Sequence, residues 1–452
     1  MKKETIAAIS TPPGVGAVSI VRMSGQAAKE VLKKVWLNNH APVDNFATHR
    51  LYYGKIVDSV NKPVDNVLAV IMKAPHSYTG EDLVEVHCHG GGLPAKEVLS
   101  ALLSAGAVLA EPGEFTRRAF LNGKMDLAQA EGVAEVIASV SERAFRLAKE
   151  QLAGRLSKEV MSLQCSLKEI KALIEATIDF PEEDIELIKH DGILKKISPI
   201  KKRLNELIST YDEGRLLHDG VKVAIVGKPN VGKSSIMNLL AGHERSIVHH
   251  VPGTTRDTIE EGVDIGGVHF RLIDTAGIHH STHEVELIGI RRTKMKLDEA
   301  DLALVVLDMS RPLDKDDERI FEETKGMKSL VIFNKSDLAK KSHLKKNADT
   351  IMTSAVKGTG IDLLKKGLLN FVTPKKEKEG EGVILTNLRH KKNLDTACEN
   401  LEKASSSIKN KEPVEFSALY IQKTMSELGK ITGTVTTEDV LNEIFSKFCI
   451  GK

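Results

Sequence analysis

The stretch Gly227-Lys-Pro-Asn-Val-Gly-Lys-Ser234 limits what this chain can fold into, because it follows the apolar run Val221-Lys-Val-Ala-Ile-Val226 and opens the run Ser235-Ile-Met-Asn-Leu-Leu240. That order predicts a strand, a loop and a helix. Gly227 and Gly232 let the backbone curl, so that the N–H groups from Asn230, Val231 and Gly232 through Lys233, Ser234 and Ser235 face phosphate oxygens. Lys233 adds a point charge, and the Ser234 hydroxyl can ligate Mg2+. A ligand-free Gly-rich turn is the alternative, and the strand-to-helix context favours the phosphate site.

The identity of the base follows from Asn334-Lys-Ser-Asp337, which comes directly after the buried-strand pattern Ser329-Leu-Val-Ile-Phe333. Asp337 at a strand end can accept from the N1–H and 2-amino groups of guanine, donors that adenine lacks, and Asn334 and Lys335 complete the motif. Asn and Asp also favour a capped turn. Val251-Pro-Gly-Thr-Thr-Arg-Asp257 reads as a switch loop, with His249, His250, Val251, Pro252, Gly253 and Thr254 around the nucleotide and Thr255 placed for Mg2+ and the γ-phosphate. Asp274, ending the run Leu272-Ile-Asp274, would hold the Mg2+ water shell, and Thr275, Ala276 and Gly277 follow it, the Gly277 N–H within reach of the γ-phosphate. Thr353-Ser354-Ala355 ends a last strand and is expected to support guanine O6 through backbone N–H groups. Elements in this order predict a Ras-like, doubly wound P-loop GTPase domain.

Its catalytic set is unusual. Ile278 stands where small signalling GTPases carry the glutamine that orients water, so another polar group must do so. The nearest suitable run is Glu284-Val-Glu286. Lys233 and Thr255 are candidate catalytic residues, with Glu284 or Glu286 beside them, and the family resemblance given below implies Glu286. An ordinary solvated glutamate at a helix start is the other reading of Glu286.

At 452 residues, with 41% hydrophobic, the chain needs two or three domains. The formal net charge of +2 gives no global attraction for RNA, so a nucleic-acid surface would be a local patch. Cys88, Cys165, Cys398 and Cys449 show no metal-ligand spacing and suit a reducing compartment. No apolar run approaches the ~20 residues of a membrane span, and Met1-Lys-Lys-Glu lacks a signal core, so a cytosolic protein is expected.

The texture predicts a multidomain α/β chain. Residues 1–120 read as α+β, with two helical patterns among alternating runs such as Asn66-Val-Leu-Ala-Val-Ile71. Residues 121–215 read as helical, with Leu156, Val160, Leu163, Leu167, Ile170 and Ile174 at threes and fours until Pro181 interrupts. The GTPase domain spans 216–374, and residues 375–452 begin as a charged linker and return to helical spacing through Leu394, Ala397, Leu401, Ala404 and Ile408. The tail should pack on the 121–215 helices, leaving the GTPase domain inserted in a discontinuous helical domain. In His87-Cys-His89, strand alternation sends Cys88 to the face opposite the histidines, which argues against a metal site.

Beyond the GTPase motifs, Thr11-Pro-Pro-Gly14, Ser77-Tyr-Thr-Gly-Glu-Asp82, His89-Gly-Gly-Gly92, Pro112-Gly-Glu-Phe115, Arg118-Ala-Phe-Leu-Asn122, Lys124-Met-Asp-Leu-Ala-Gln-Ala130, Ile178-Asp-Phe-Pro181 and Phe448-Cys-Ile-Gly-Lys452 look like signatures of one family. The whole chain resembles the tRNA-modification GTPase family called MnmE or TrmE. The resemblance implies an N-terminal domain that binds a tetrahydrofolate such as 5-formyltetrahydrofolate, with Arg22, Glu85 and Lys124 matching folate contacts and Lys452 nearby. Taken alone, Arg22 and Glu85 read as surface charges; chemically, a cation suits the folate tail and Glu85 the pterin donor edge. It also implies K+ held by Asn230 and by switch-loop carbonyls at His249, Val251 and Thr254, although His249 replaces the usual Thr or small residue. The cation would supply the charge neutralisation that an arginine finger gives elsewhere. Cys449 reads as a small buried residue or, by the family ending, as part of a modification centre. Further implications are a homodimer, an FAD-dependent MnmG or GidA-type partner in a heterotetramer, and modification at C5 of the tRNA wobble uridine. A ribosome-assembly GTPase or a regulatory switch is the rival reading.

Overall fold

The computed structural model describes residues 4–179, 190–242, 260–274, 297–338, 350–372 and 382–452. The chain forms two compact units, one of residues 1–137, 151–197 and 399–452, the other of residues 138–150 and 198–398. Pro181, the first-switch residues 249–255, residues 275–286 and the linker 375–381 lie outside the described residues.

The first unit is built on a seven-stranded sheet of β1 (Ile6–Ile9), β2 (Val18–Ser24), β3 (Trp36–Leu37), β4 (Leu51–Val57), β5 (Pro63–Met72), β6 (Leu83–His89) and β7 (Val108–Leu109), in the order β3-β4-β5-β6-β2-β1-β7. All pairings are antiparallel except β1 with β7. Alternation decides the faces. Val21 and Met23 of β2 and Val84, Val86 and Cys88 of β6 join Val31, Leu32, Val98 and Leu102 of helices Ala28–Val35 and Gly92–Ser104 in one core. Arg22 and Glu85 therefore fall on the other face, directly opposite each other across β2 and β6. Residues 1–121 hold a third helix, Glu114–Leu121, beyond the two that the pattern predicts. Its short apolar content hid it, since Arg118 within it is buried through polar contacts.

Helix Val414–Thr432 packs along Arg155–Asp179, where Gln164 Nε2 donates to the Met425 carbonyl at 3.1 Å. Leu127 and Ala130 share a cluster with Leu441, Ile444, Phe445 and Phe448, so the tail returns to the earlier helices as its apolar face requires.

The second unit holds a six-stranded sheet of β8 (Val221–Val226), β9 (Glu260–Ile265), β10 (Val268–Asp274), β11 (Leu302–Asp308), β12 (Ser329–Asn334) and β13 (Thr350–Met352), ordered β13-β12-β11-β8-β10-β9. It is parallel except for the β9–β10 hairpin. β11 is buried at every position, as a strand covered on both faces must be. Helices Lys233–Gly242 and Ile361–Val372 contribute Ile236, Leu240, Leu364 and Leu368 to the core. Helix Tyr211–Asp219 runs across position 216, and its Leu216 and Leu217 belong to this core as well.

Candidate functional site

In a parallel sheet of this kind, ligands bind beyond the carboxyl ends of the strands. β8, β11 and β12 end there in the phosphate loop, Asp308 and Asn334 respectively. Between β8 and helix Lys233–Gly242, Gly227, Asn230 and Gly232 have φ of 153°, 63° and 98°. A Cβ on Gly227 would lie 2.4 Å from the Val306 carbonyl, and one on Gly232 would lie 2.2 Å from Asn334 Nδ2. Both positions therefore require glycine for close approach as well as for torsion. The buried Lys233 ammonium donates to the carbonyls of Gly227 at 2.7 Å and Lys228 at 2.8 Å, which fixes it over the loop.

Asn334 is 1% exposed and joins three segments. Its Nδ2 donates to the Val231 carbonyl at 2.8 Å, and its Oδ1 accepts from the Ala355 N–H at 3.0 Å and the Thr353 hydroxyl at 3.3 Å. The loop after β8, the end of β12 and the segment after β13 are thus one hydrogen-bonded frame. Lys335, in the left-handed region at φ 62°, sets its ammonium 2.7 Å from Asp308 Oδ2. Burial pushes the Asp308 carboxyl up, and Lys335 with the Ser310 hydroxyl and N–H outweighs this and holds it below the usual range. Asp337 is exposed, and Ser354 Oγ donates to it at 2.6 Å. That bond is the main cause holding its carboxyl below the ordinary carboxylate range, which favours the ionised form.

The Thr353, Ser354 and Ala355 N–H groups donate to the Phe333 carbonyl, the Thr359 carbonyl and Asn334 Oδ1. Ser234 and Ser235 lie in the first turn of helix Lys233–Gly242, and Asp274 ends β10. The residues expected in the switches, His249, His250, Val251, Pro252, Gly253, Thr254, Thr255, Thr275, Ala276, Gly277 and Glu286, lie outside the described residues.

A second polar cluster lies in the first unit. Arg22 donates from Nε at 2.9 Å and Nη2 at 2.7 Å to Glu85 Oε1, and its guanidinium lies 5.6 Å from the Tyr78 ring centroid and 5.9 Å from that of Phe115. The chain's last residues close against this pair. Arg22 Nη1 and Ser10 Oγ donate to the Gly451 carbonyl at 3.5 and 3.3 Å, and the Phe115 N–H donates to the Lys452 carbonyl at 3.2 Å. Burial, and then the Arg22 charge, pull the Lys452 ammonium below its ordinary pKa, against the pull of Glu85 and Cys449. Taken alone in sequence Arg22 and Glu85 read as surface charges; in the fold they are an ion pair with side chains 15% and 12% exposed. Lys124 instead donates to the Pro75 carbonyl at 3.0 Å. Cys88 is buried and donates to the Ser19 carbonyl, while His87 and His89 face Glu85 and Asp65 on the other side. Among the described residues no group of His, Cys, Asp and Glu could hold a metal ion.

Tyr78, Phe115 and Asp308 are not singled out by the sequence, although Tyr78 and Phe115 lie inside the signatures Ser77-Tyr-Thr-Gly-Glu-Asp82 and Pro112-Gly-Glu-Phe115.

A glycine-cradled loop braced by Asn334, with Asp337 just beyond the same strand end, marks a P-loop domain of the GTP-binding kind, here within a chain that also carries an α+β domain and a helical domain. The family description "GTP-binding protein TrmE N-terminus" matches residues 5–124, and "MnmE helical domain" matches residues 127–449. The tRNA modification GTPase MnmE of Natranaerobius thermophilus is 41% identical over 459 residues, covering 100% of both chains. Those of Carboxydothermus hydrogenoformans and Geobacter sulfurreducens are 42% and 43% identical over 464 and 455 residues, covering 100% of this chain and 100% and 99% of theirs. The chain belongs to the MnmE family of tRNA modification GTPases.

Proposed function

We propose that this protein hydrolyses GTP to drive a conformational cycle in the modification of tRNA, adding a (carboxymethyl)aminomethyl group at C5 of the wobble uridine with an FAD-dependent MnmG-type partner. The observation that carries the proposal is that one chain holds two polar sites: the guanine-nucleotide frame centred on Asn334, and the Arg22–Glu85 pair closed by Gly451 and Lys452. A ribosome-assembly or regulatory GTPase needs only the first.

The residues present fit both groups. Gly227 and Gly232 leave no room for a Cβ where phosphates would be cradled, and the Asp337 carboxylate is ionised for the guanine donors. Lys233 holds the phosphates, while Ser234 and Thr255, with Asp274 through water, would hold Mg2+. Asn230 and the first-switch carbonyls would hold K+, and Glu286 would orient the attacking water. In the first unit, Glu85 Oε2 offers an acceptor to a pterin edge, and Arg22 and Lys452 offer cations to a carboxylate tail. A reduced folate bound there supplies the one-carbon unit. The protein acts as a homodimer within a heterotetramer in the cytoplasm; among the described residues no helix is long and apolar enough to cross a membrane.

The test is mass spectrometry of wobble nucleosides from a deletion strain complemented with wild type, Asp337→Asn or Glu85→Ala. The modified nucleoside should return only with wild type. A deletion strain with normal wobble nucleosides refutes the function.

A further inference from the structure

Lys228 is a charged side chain of the phosphate loop that the proposed reaction does not use. Its ammonium lies 2.5 Å from Asp314 Oδ1 and 2.6 Å from Asp317 Oδ2. Both carboxylates belong to the start of helix Lys315–Glu323, where Asp314 is the N-cap and accepts from the Asp316 and Asp317 N–H groups. Asp317 Oδ2 returns a bond from the Asp314 N–H at 3.1 Å, completing a capping box. The box fixes both carboxylates through backbone bonds, whether or not Lys228 is present. The Lys228 and Asp317 side chains are only 10% and 4% exposed, so their contact is no solvated surface pair, while Asp314 is 53% exposed.

The backbone of the same residue serves the phosphate site. The Lys228 carbonyl accepts from Lys233 Nζ at 2.8 Å, next to the Gly227 carbonyl at 2.7 Å. Lys228 is therefore held at both ends, its ammonium by a rigid helix start and its carbonyl by the lysine that meets the phosphates. We propose that Lys228 is a positioning residue, whose clamp on Asp314 and Asp317 fixes the carbonyl that sets Lys233. The inference rests on the GTP reading of the loop. Without the clamp the first turn of the loop can shift, and a displacement of about 1 Å at a phosphate-contacting group can cost about 10²-fold in rate.

The competing reading is that the clamp only ties a helix to the sheet. Lys228→Met alone cannot separate the two, because it strands the buried Asp317 carboxylate and lowers stability. The triple variant Lys228→Met, Asp314→Asn, Asp317→Asn removes all three charges at nearly constant volume. Full-length wild type, both of these variants and Lys228→Arg are compared for Tm, GDP affinity, and kcat and KM for GTP. The triple variant should regain the wild-type Tm yet stay about 10²-fold below wild type in kcat/KM, while arginine, which can meet both carboxylates, should recover to within about threefold. A triple variant that turns over GTP at the wild-type rate overturns the inference, as does arginine restoring Tm without turnover. Wild type that binds no GDP removes the nucleotide reading and the clamp together; normal binding by wild type with a full-speed triple variant removes the clamp alone.

Discussion

Asn334→Ala tests whether the phosphate loop and the guanine-reading segment are one mechanical frame. The substitution deletes the bond to the Val231 carbonyl at 2.8 Å and those from Ala355 N–H at 3.0 Å and Thr353 Oγ1 at 3.3 Å. Val231 and Thr353 are both 0% exposed, so water cannot replace the lost partner without opening the site. Two stranded buried groups at about 1–3 kcal/mol each give a loss of about 2–6 kcal/mol. For a domain of this size, about 2–4 °C per kcal/mol converts this to a fall in Tm of about 4–24 °C. GDP affinity should fall at least about tenfold, because the Val231 turn is part of the phosphate cradle. Gly232→Ala should reproduce the binding loss from the other side, since its Cβ would meet Asn334 Nδ2 at 2.2 Å in a residue with φ of 98°. Differential scanning calorimetry and titration with a fluorescent GDP supply the two readouts. If Asn334→Ala leaves Tm within about 2 °C and GDP affinity within about threefold, the frame is not a unit and the argument fails.

Asp337→Asn should weaken GTP binding and favour a xanthine nucleotide, whose 2-oxo group accepts from an amide; competition titration with XTP measures this. Because Ser354 depresses the Asp337 pKa, the carboxylate's contribution to guanine binding is fully present above the ordinary carboxylate range and is lost only as pH falls through the depressed value. Ser354→Ala should shift that loss to higher pH in GDP titrations run from neutral to acid; an unshifted profile contradicts the assignment. GTP turnover should be faster in K+ than in Na+, and Glu286→Ala should lower kcat more than nucleotide affinity, whereas equal rates in the two salts remove the cation from the mechanism. Glu85→Ala should abolish binding of a reduced formyl-folate in calorimetry while GDP still binds, and equal folate affinity in wild type and variant defeats that site.

What could be read ahead of the structure was what is local in sequence. The phosphate loop, Asn334 to Asp337 and the two faces of His87-Cys-His89 each lie within a few residues, where spacing and period carry the chemistry. The braces between them do not. Asn334 reaches Val231 across 103 positions and Arg22 reaches Glu85 across 63, and only the β2–β6 register makes the latter pair neighbours. Alternation gave the face of each residue, not its partner. Lys228 occupies a position that the loop motif leaves open, so nothing in the motif marks it, and its partners Asp314 and Asp317 lie about 90 residues on. The bond from the Ala355 N–H to Asn334 Oδ1 is likewise invisible until β12 and β13 are side by side.

The Arg22–Glu85 pair changes what the first unit can recognise. Both Arg22 bonds fall on Oε1, which leaves Oε2 as the carboxylate edge for an incoming donor, with His87 Nε2 3.4 Å away. Arg22 is in turn held between Glu85, the Tyr78 and Phe115 rings and the Gly451 carbonyl, so its charge is fixed in direction as well as position. Gly451 has φ of 91°, and a Cβ there would lie 2.4 Å from the Ile9 carbonyl, so only glycine lets the last residues approach β1 closely enough to make this contact. The Lys452 ammonium, its pKa lowered first by burial and then by Arg22 against the pull of Glu85 and Cys449, would gain from a carboxylate that meets it on the side away from Glu85. An anionic ligand is therefore favoured by the tail and the sheet together, and a neutral pterin without its glutamate should bind the unit much more weakly than the intact folate.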